Sequence, residues 1–153
     1  MSIDTRLAEL GIELPEPAAP VAAYVPAVEV NGLLHISGQI SFAEDGTLIT
    51  GRLGESLNLE RGQAAARRCG IMLLAQIKAA LGSLDRVERI VKLGVFVNSA
   101  ADFIDQPKVA NGASELMQDV FGEAGRHARS AVGVPTLPLG VAVEVDAIVA
   151  IRP

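Results

Sequence analysis

Within residues 24–40, apolar runs lie on either side of Asn31 and Gly32. Asn-Gly is favoured in two-residue hairpin turns because both positions require a positive φ angle. A two-residue loop would pair Val30 with Leu33 and fix the register of a β-hairpin. Because side chains alternate along each strand, three polar or aromatic side chains are then expected on one face: Tyr24, His35 and Ser37.

Two other stretches repeat apolar residues every three or four positions, the spacing of one helix face. The first stretch predicts a helix over residues 58–81, followed by a glycine that favours termination. The second helix is expected to start at Asp102 or Asp105, either of which can cap it, and to end at Gly122. A shorter amphipathic helix is predicted over residues 3–10.

Three further apolar runs, at residues 86–99, 128–134 and 141–151, are predicted to be strands. Strands mixed with single helices favour an α+β fold, with a mixed β-sheet and two helices packed on one of its faces. The length of 153 residues fits a single domain. Residues 1–20, a short helix and a proline-rich lead-in, are expected to be an N-terminal extension of that domain.

The last two predicted strands place charged residues among valines. If they formed a hairpin with a loop near Pro138, Arg129 would face Asp146. Glu144 and Asp146 would share the face opposite the core, about 7 Å apart. One interpretation is a cross-strand salt bridge on a solvated face, which contributes little. The other is a site where Arg129 grips a carboxylate in bidentate fashion and an acid transfers protons.

Other residues also allow two interpretations. His35 and His127 can be acid–base groups, since histidine titrates near neutral pH, or hydrogen-bonded structural residues. The backbone of Ser37, Gly38 and Gln39 can bind an oxyanion or form a glycine bulge at a strand end.

The pair Asn111-Gly112 is unfavourable inside a helix, which points to a packing or functional role. Cys69 lies on an apolar helix stripe and is expected in the core. As the single cysteine, it excludes an intrachain disulfide, and with two histidines no Cys/His metal site is expected.

A net charge of −5 without a basic run argues against nucleic-acid binding. No apolar run is long enough to predict a membrane span, and no signal-peptide pattern is present. A cytoplasmic protein is therefore expected. Only 3% of the residues are aromatic, so the core is expected to be aliphatic.

The segment "RSAVGVPTLPLGVAVEVDAIV" resembles the closing motif of the RidA (YjgF) family, and "AAYVPAVEVNGLLHISGQI" resembles its tyrosine-containing lead-in and S-G-Q-I segment. The resemblance covers nearly the whole chain from about residue 20, so residues 21–153 are expected to be a RidA-like domain. It implies a chorismate-mutase-like fold and a homotrimer with ligand clefts between subunits.

The resemblance also implies hydrolysis of reactive enamines and imines, such as 2-aminoacrylate, to 2-keto acids and ammonia, without a cofactor. Arg129 would hold the substrate carboxylate and Glu144 would position the attacking water. The other residues expected to bind substrate are Tyr24, Ser37, Gly38, Asn111 and His127.

The chain departs from the family pattern in three respects. Ala131 stands where the deaminases often have cysteine, "GRHARS" replaces a short proline-containing segment that leads into the arginine, and the chain is longer. These features are typical of a longer, less-characterised branch of the family. Two alternatives to the hydrolase therefore stay open: a non-catalytic trimer that senses a small carboxylate, and the endoribonuclease or translation-inhibitor label, which the acidic charge disfavours.

Overall fold

The computed structural model describes residues 1–17, 19–20 and 22–153 as one α+β domain. The expected boundary after residue 20 falls at Val21, which lies outside the described residues. The helices are α1 (Ile3–Glu9), α2 (Leu59–Leu81) and α3 (Gln106–Phe121), and the strands are β1 (Ala27–Val30), β2 (Leu33–Ile40), β3 (Val87–Asn98), β4 (Ala128–Val134) and β5 (Val143–Ile151).

The strands form one mixed sheet in the order β1-β2-β5-β3-β4. Neighbouring strands are antiparallel except β3 and β4, which are parallel. The predicted first hairpin is confirmed, with Val30 paired with Leu33 across the turn. Asn31 and Gly32 have φ angles of 52° and 75°, as a turn of this type requires.

The predicted hairpin between the last two strands is wrong, because β3 lies between β4 and β5. Two backbone N–H groups at the end of β3 bind the residues on either side of the loop that joins β4 to β5. Asn98 donates to the Ala142 carbonyl (2.9 Å), and Ser99 donates to the Val134 carbonyl (2.9 Å). The chain therefore crosses the end of β3 instead of turning back on β4. The predicted pairing of Arg129 with Asp146 does not form.

Helices α2 and α3 pack on one face of the sheet, as predicted, and α1 adds a third helix beside them. Leu7 buries α1 against the core (4% exposed), and Arg6 Nε donates to the Asp119 carbonyl (2.7 Å) at the end of α3. Cys69 is fully buried, as expected. Along β5 the alternating residues Val143, Val145, Ala147, Val149 and Ile151 are buried in the core. None of the helices described is long and apolar enough to cross a membrane.

Glycines allow α2 and α3 to approach closely. A Cβ atom at Gly70 would lie 2.7 Å from Leu116 Cδ2, and one at Gly112 would collide with the Gln63 carbonyl oxygen of α2. Packing therefore explains the glycine of the unfavourable Asn111-Gly112 pair.

We expect Gly112→Ala to destabilise the protein. The added methyl group meets backbone of α2, which cannot move aside as a side-chain end can, and overpacking of this kind costs about 1–3 kcal/mol. That cost exceeds the roughly 1 kcal/mol that alanine gains over glycine within a helix. The measurement is the urea midpoint, with Glu115→Ala on the exposed side of α3 as the control. A midpoint equal to or above that of the control would show that the two helices separate freely.

Candidate functional site

Arg129 lies in edge strand β4 on the helix-covered face of the sheet. It is in register with Leu93 of β3, which is in register with Ala147 of β5, and both of those side chains are buried in the core. Residues in register on neighbouring strands project from the same face. The guanidinium of Arg129 accordingly reaches α3, where Nη1 donates to Asn111 Oδ1 (2.8 Å) and to Ser114 Oγ (3.1 Å).

A histidine extends this group of polar side chains. Ser114 Oγ lies 2.8 Å from His127 Nε2, and His127 Nδ1 lies 2.6 Å from the carbonyl oxygen of Gly125. Burial lowers the pKa of His127 below its ordinary value of 6.5, the hydrogen bond to Gly125 offsets part of this, and the charge of Arg129 lowers it further. We call Asn111, Ser114, His127 and Arg129 the Arg129 cluster.

Glu144 and Asp146 project from the opposite face, because Val143 and Val145 beside them point into the core. In the register of the sheet, Glu144 lies between Ile40 of β2 and Phe96 of β3. Burial beside such neighbours raises the pKa of Glu144, and the charge of Asp146 raises it further. Burial also raises the pKa of Asp146, against a backbone hydrogen bond with Gly94 and the charge of Lys92.

Each carboxylate lies against a glycine in a neighbouring strand. A Cβ atom at Gly38 of β2 would collide with Glu144 Oε2 and lie 2.9 Å from its Cδ atom. A Cβ atom at Gly94 of β3 would collide with Asp146 Oδ1 in the same way. Neither glycine has a positive φ angle, so both are required for space and not for backbone conformation. Gly38 thus leaves space for the Glu144 carboxylate beside β2, and Gly94 leaves space for the Asp146 carboxylate beside β3.

Gly38 belongs to a β-bulge, since the register between β2 and β5 shifts between Ile36 and Gln39. The buried side chain of Gln39 donates to the Ser37 carbonyl (3.0 Å) and accepts from Gln76 Nε2 (3.3 Å) of α2. The backbone N–H of Ser37 donates to the Pro26 carbonyl (2.9 Å). That N–H already has a backbone acceptor, so an oxyanion would have to be bound by the N–H groups of Gly38 and Gln39, and this interpretation of the segment stays a prediction.

Ser37 also joins the bulge to the segment before β1, because its hydroxyl donates to the Val25 carbonyl (3.1 Å). Tyr24 precedes Val25 and is 50% exposed. Beside it, a groove of about 330 Å³ runs along the sheet face. Its polar lining comes from His35, Ser37 and Asp146.

The expected site residues thus fall into two groups on opposite faces of the sheet. Arg129, Asn111 and His127 lie on the helix side, whereas the bulge and Glu144 lie on the other. Within the ranges described, Arg129, Glu144 and Asp146 form no ion pair. The cross-strand salt bridge considered from the sequence is therefore wrong, because the cation and the carboxylates never share a face.

Sequence reasoning missed Ser114, a serine 7% exposed on the inner side of α3. Its spacing of three residues from Asn111 places both on one helix face, but that signal has meaning only once Arg129 is known to face α3. No three His, Cys, Asp or Glu side chains among the described residues are placed to hold a metal ion.

We expect Glu144→Gln to stabilise the fold at neutral pH. The raised pKa means that the folded protein binds more protons than the unfolded chain between the ordinary value of 4.5 and the raised value, so stability falls as pH rises through that window. Glutamine carries no charge to desolvate. The increase in the free energy of unfolding should stay below about 1 kcal/mol, because the Glu144 carboxylate is about half exposed to solvent.

Thermal unfolding of both proteins from pH 4 to pH 8 measures this difference. The advantage of Glu144→Gln should appear above the window and vanish below it. A constant difference across the whole range would contradict the cause given for the raised pKa.

Comparison with known proteins agrees with this architecture. A family model described as "YjgF/chorismate mutase-like, putative endoribonuclease" matches residues 4–149. Protein TCP17 of Trypanosoma cruzi is 55% identical over 148 residues, which cover 96% of this chain and 92% of that protein. The crystal structure of protein Atu1372 from Agrobacterium tumefaciens superimposes with a TM-score of 0.90 at 44% identity, covering 99% of this chain and 94% of that one.

A more distant relative carries an enzyme name. The 2-iminobutanoate/2-iminopropanoate deaminase of Dermatophagoides farinae is 28% identical over 142 residues, or 92% of this chain and 95% of that protein. The family model runs from within α1 to within β5, so the resemblance noted in the closing motif and the S-G-Q-I segment extends through nearly the whole fold. The chain belongs to the YjgF/RidA family.

Proposed function

We propose that this protein hydrolyses reactive 2-imino acids and their enamine tautomers, of the 2-aminoacrylate type, to 2-keto acids and ammonia. The observation that carries the proposal is the bonding of Arg129. Its Nη1 donates only to neutral groups of α3, and no described residue accepts from Nε or Nη2. A positive charge held in this way, with one edge of the guanidinium unused, suits a ligand carboxylate.

Glu144 supplies the second chemical group. Water adds across the C=N bond to give a carbinolamine, and the amine nitrogen then leaves as ammonia while the C=O bond forms. Glu144 accepts a proton from the attacking water and gives it to the imine nitrogen. When the carbinolamine collapses, Glu144 takes the hydroxyl proton and gives it to the amine nitrogen, which leaves as ammonia. A raised carboxyl pKa suits this double role, because a general acid–base works best with a pKa near the working pH.

The two groups can meet only if a second copy of the chain contributes one of them. We propose a homotrimer with clefts between neighbouring subunits, in which Arg129 of one copy faces Glu144 of the next. The open sheet face supports this assembly, since Val28 (50% exposed) and Val132 (46% exposed) lie on the same face as Glu144. Sedimentation equilibrium should give three times the chain mass of 15.9 kDa, and a stable monomer would exclude the shared cleft.

The activity is tested by ammonia release from 2-iminopropanoate generated in situ by an amino-acid oxidase. Calorimetry with 2-oxobutanoate measures binding separately. We expect Glu144→Gln to bind the keto acid nearly as the wild type does, because the shape is retained, but to lose turnover. Keto-acid binding without hydrolysis of any imine by the wild type would replace the hydrolase with the sensor. RNA cleavage that depends on Arg129 would favour the endoribonuclease activity instead.

A further inference from the structure

The Arg129 cluster is a directed chain of hydrogen bonds. The carbonyl of Gly125 can only accept, so His127 Nδ1 carries the proton of the neutral imidazole. Nε2 then has a lone pair and accepts from the Ser114 hydroxyl. The lone pairs of Ser114 Oγ remain free to accept from Arg129 Nη1 (3.1 Å). Neutral His127 thereby sets the direction in which Ser114 bonds the guanidinium.

The two ends of this chain are fixed by packing. Ser114 is 7% exposed in α3. A Cβ atom at Gly125 would collide with the Met117 carbonyl oxygen, so the short 3-10 turn Gly122–Gly125 lies directly on α3. The imidazole of His127 spans the gap between that turn and Ser114. An anchor of this kind has little freedom to shift.

We propose that Ser114 and His127 are positioning residues that hold the Arg129 guanidinium with its Nε and Nη2 edge turned toward the ligand carboxylate. Nη1 donates to α3 at both Asn111 Oδ1 and Ser114 Oγ. The remaining edge presents two parallel N–H groups, the arrangement that grips a planar carboxylate. The role of this edge rests on the proposed function, whereas the ordering of Arg129 by Ser114 does not.

Two pairs of variants separate positioning from packing. His127→Gln places an amide oxygen near the site of Nε2 and still accepts from Ser114, whereas His127→Asn retains only a donor near Nδ1, for the Gly125 carbonyl. Ser114→Thr retains the hydroxyl that Ser114→Ala removes. We expect His127→Asn and Ser114→Ala to weaken 2-oxobutanoate binding about tenfold, the effect of losing one hydrogen bond. His127→Gln and Ser114→Thr should stay within about threefold of the wild type.

A second readout does not depend on the ligand. In protein labelled with ¹⁵N-arginine, hindered rotation should resolve the Nη1 and Nη2 signals of Arg129 in the wild type, His127→Gln and Ser114→Thr. They should merge in His127→Asn and Ser114→Ala. Resolved signals in all four variants would overturn the positioning role. The expected merging in a protein that neither binds 2-oxobutanoate nor releases ammonia would instead overturn the proposed function.

Discussion

Arg129→Lys is expected to lower kcat/KM for imine hydrolysis roughly tenfold to hundredfold. A lysine ammonium can neither present two parallel N–H groups to a carboxylate nor span the distance to both Asn111 and Ser114 in one plane. Loss of one charge-assisted hydrogen bond costs about 1.5–3 kcal/mol. Coupled ammonia release gives kcat/KM, and calorimetry with 2-oxobutanoate gives the affinity.

Arg126→Lys is the matched control, because Arg126 lies three residues earlier and its side chain is 66% exposed. It should leave both quantities unchanged. Thermal unfolding of Arg129→Lys should also stay close to the wild type, since partly exposed polar contacts contribute little to stability. Unchanged affinity and turnover in Arg129→Lys would reduce Arg129 to a structural contact with α3.

Secondary structure could largely be predicted from the sequence because it depends on local spacing and end signals. The long helix is an example: Asn58 accepts from the Arg61 N–H (2.9 Å) at its start, and Gly82 ends it with a φ angle of 81°. The first hairpin followed from Asn31 and Gly32 and the apolar residues on either side of them. In each case residues only a few positions apart determine the outcome.

The order of the strands could not be predicted in the same way. Alternation along the chain shows which side chains share a face, but not which strand lies beside which. Because β3 lies between β4 and β5, Arg129 does not face Asp146. Its hydrogen-bond partners are Asn111 and Ser114 of α3 instead. Charges that suggested one site in the sequence therefore lie on two faces.

The pair Asn111-Gly112 shows how an unfavourable local sequence marks tertiary structure. Gly112 allows α3 to approach α2, and the adjacent Asn111 accepts from Arg129. The sequence could indicate that the pair had a role, since both residues weaken a helix. It could not assign one role to each, because the positions of α2 and β4 relative to α3 arise only in the folded chain.

Substitutions at Gly38 and Gly94 distinguish Glu144 from Asp146 as the working acid. We expect Gly38→Ala to lower kcat about a hundredfold, because the new methyl group displaces the Glu144 carboxylate by roughly 1 Å. Gly94→Ala is the matched control, since its methyl group meets Asp146 in the same way, 3.1 Å from Cγ. Neither backbone needs a glycine φ angle, and a carboxylate end can move aside, so thermal unfolding should detect only small losses in both. Single-turnover ammonia release from 2-iminopropanoate measures the chemical step.

A larger loss of kcat in Gly94→Ala than in Gly38→Ala would assign the catalytic role to Asp146 and not to Glu144. Equal and small losses of kcat would show that neither carboxylate has to be held in place.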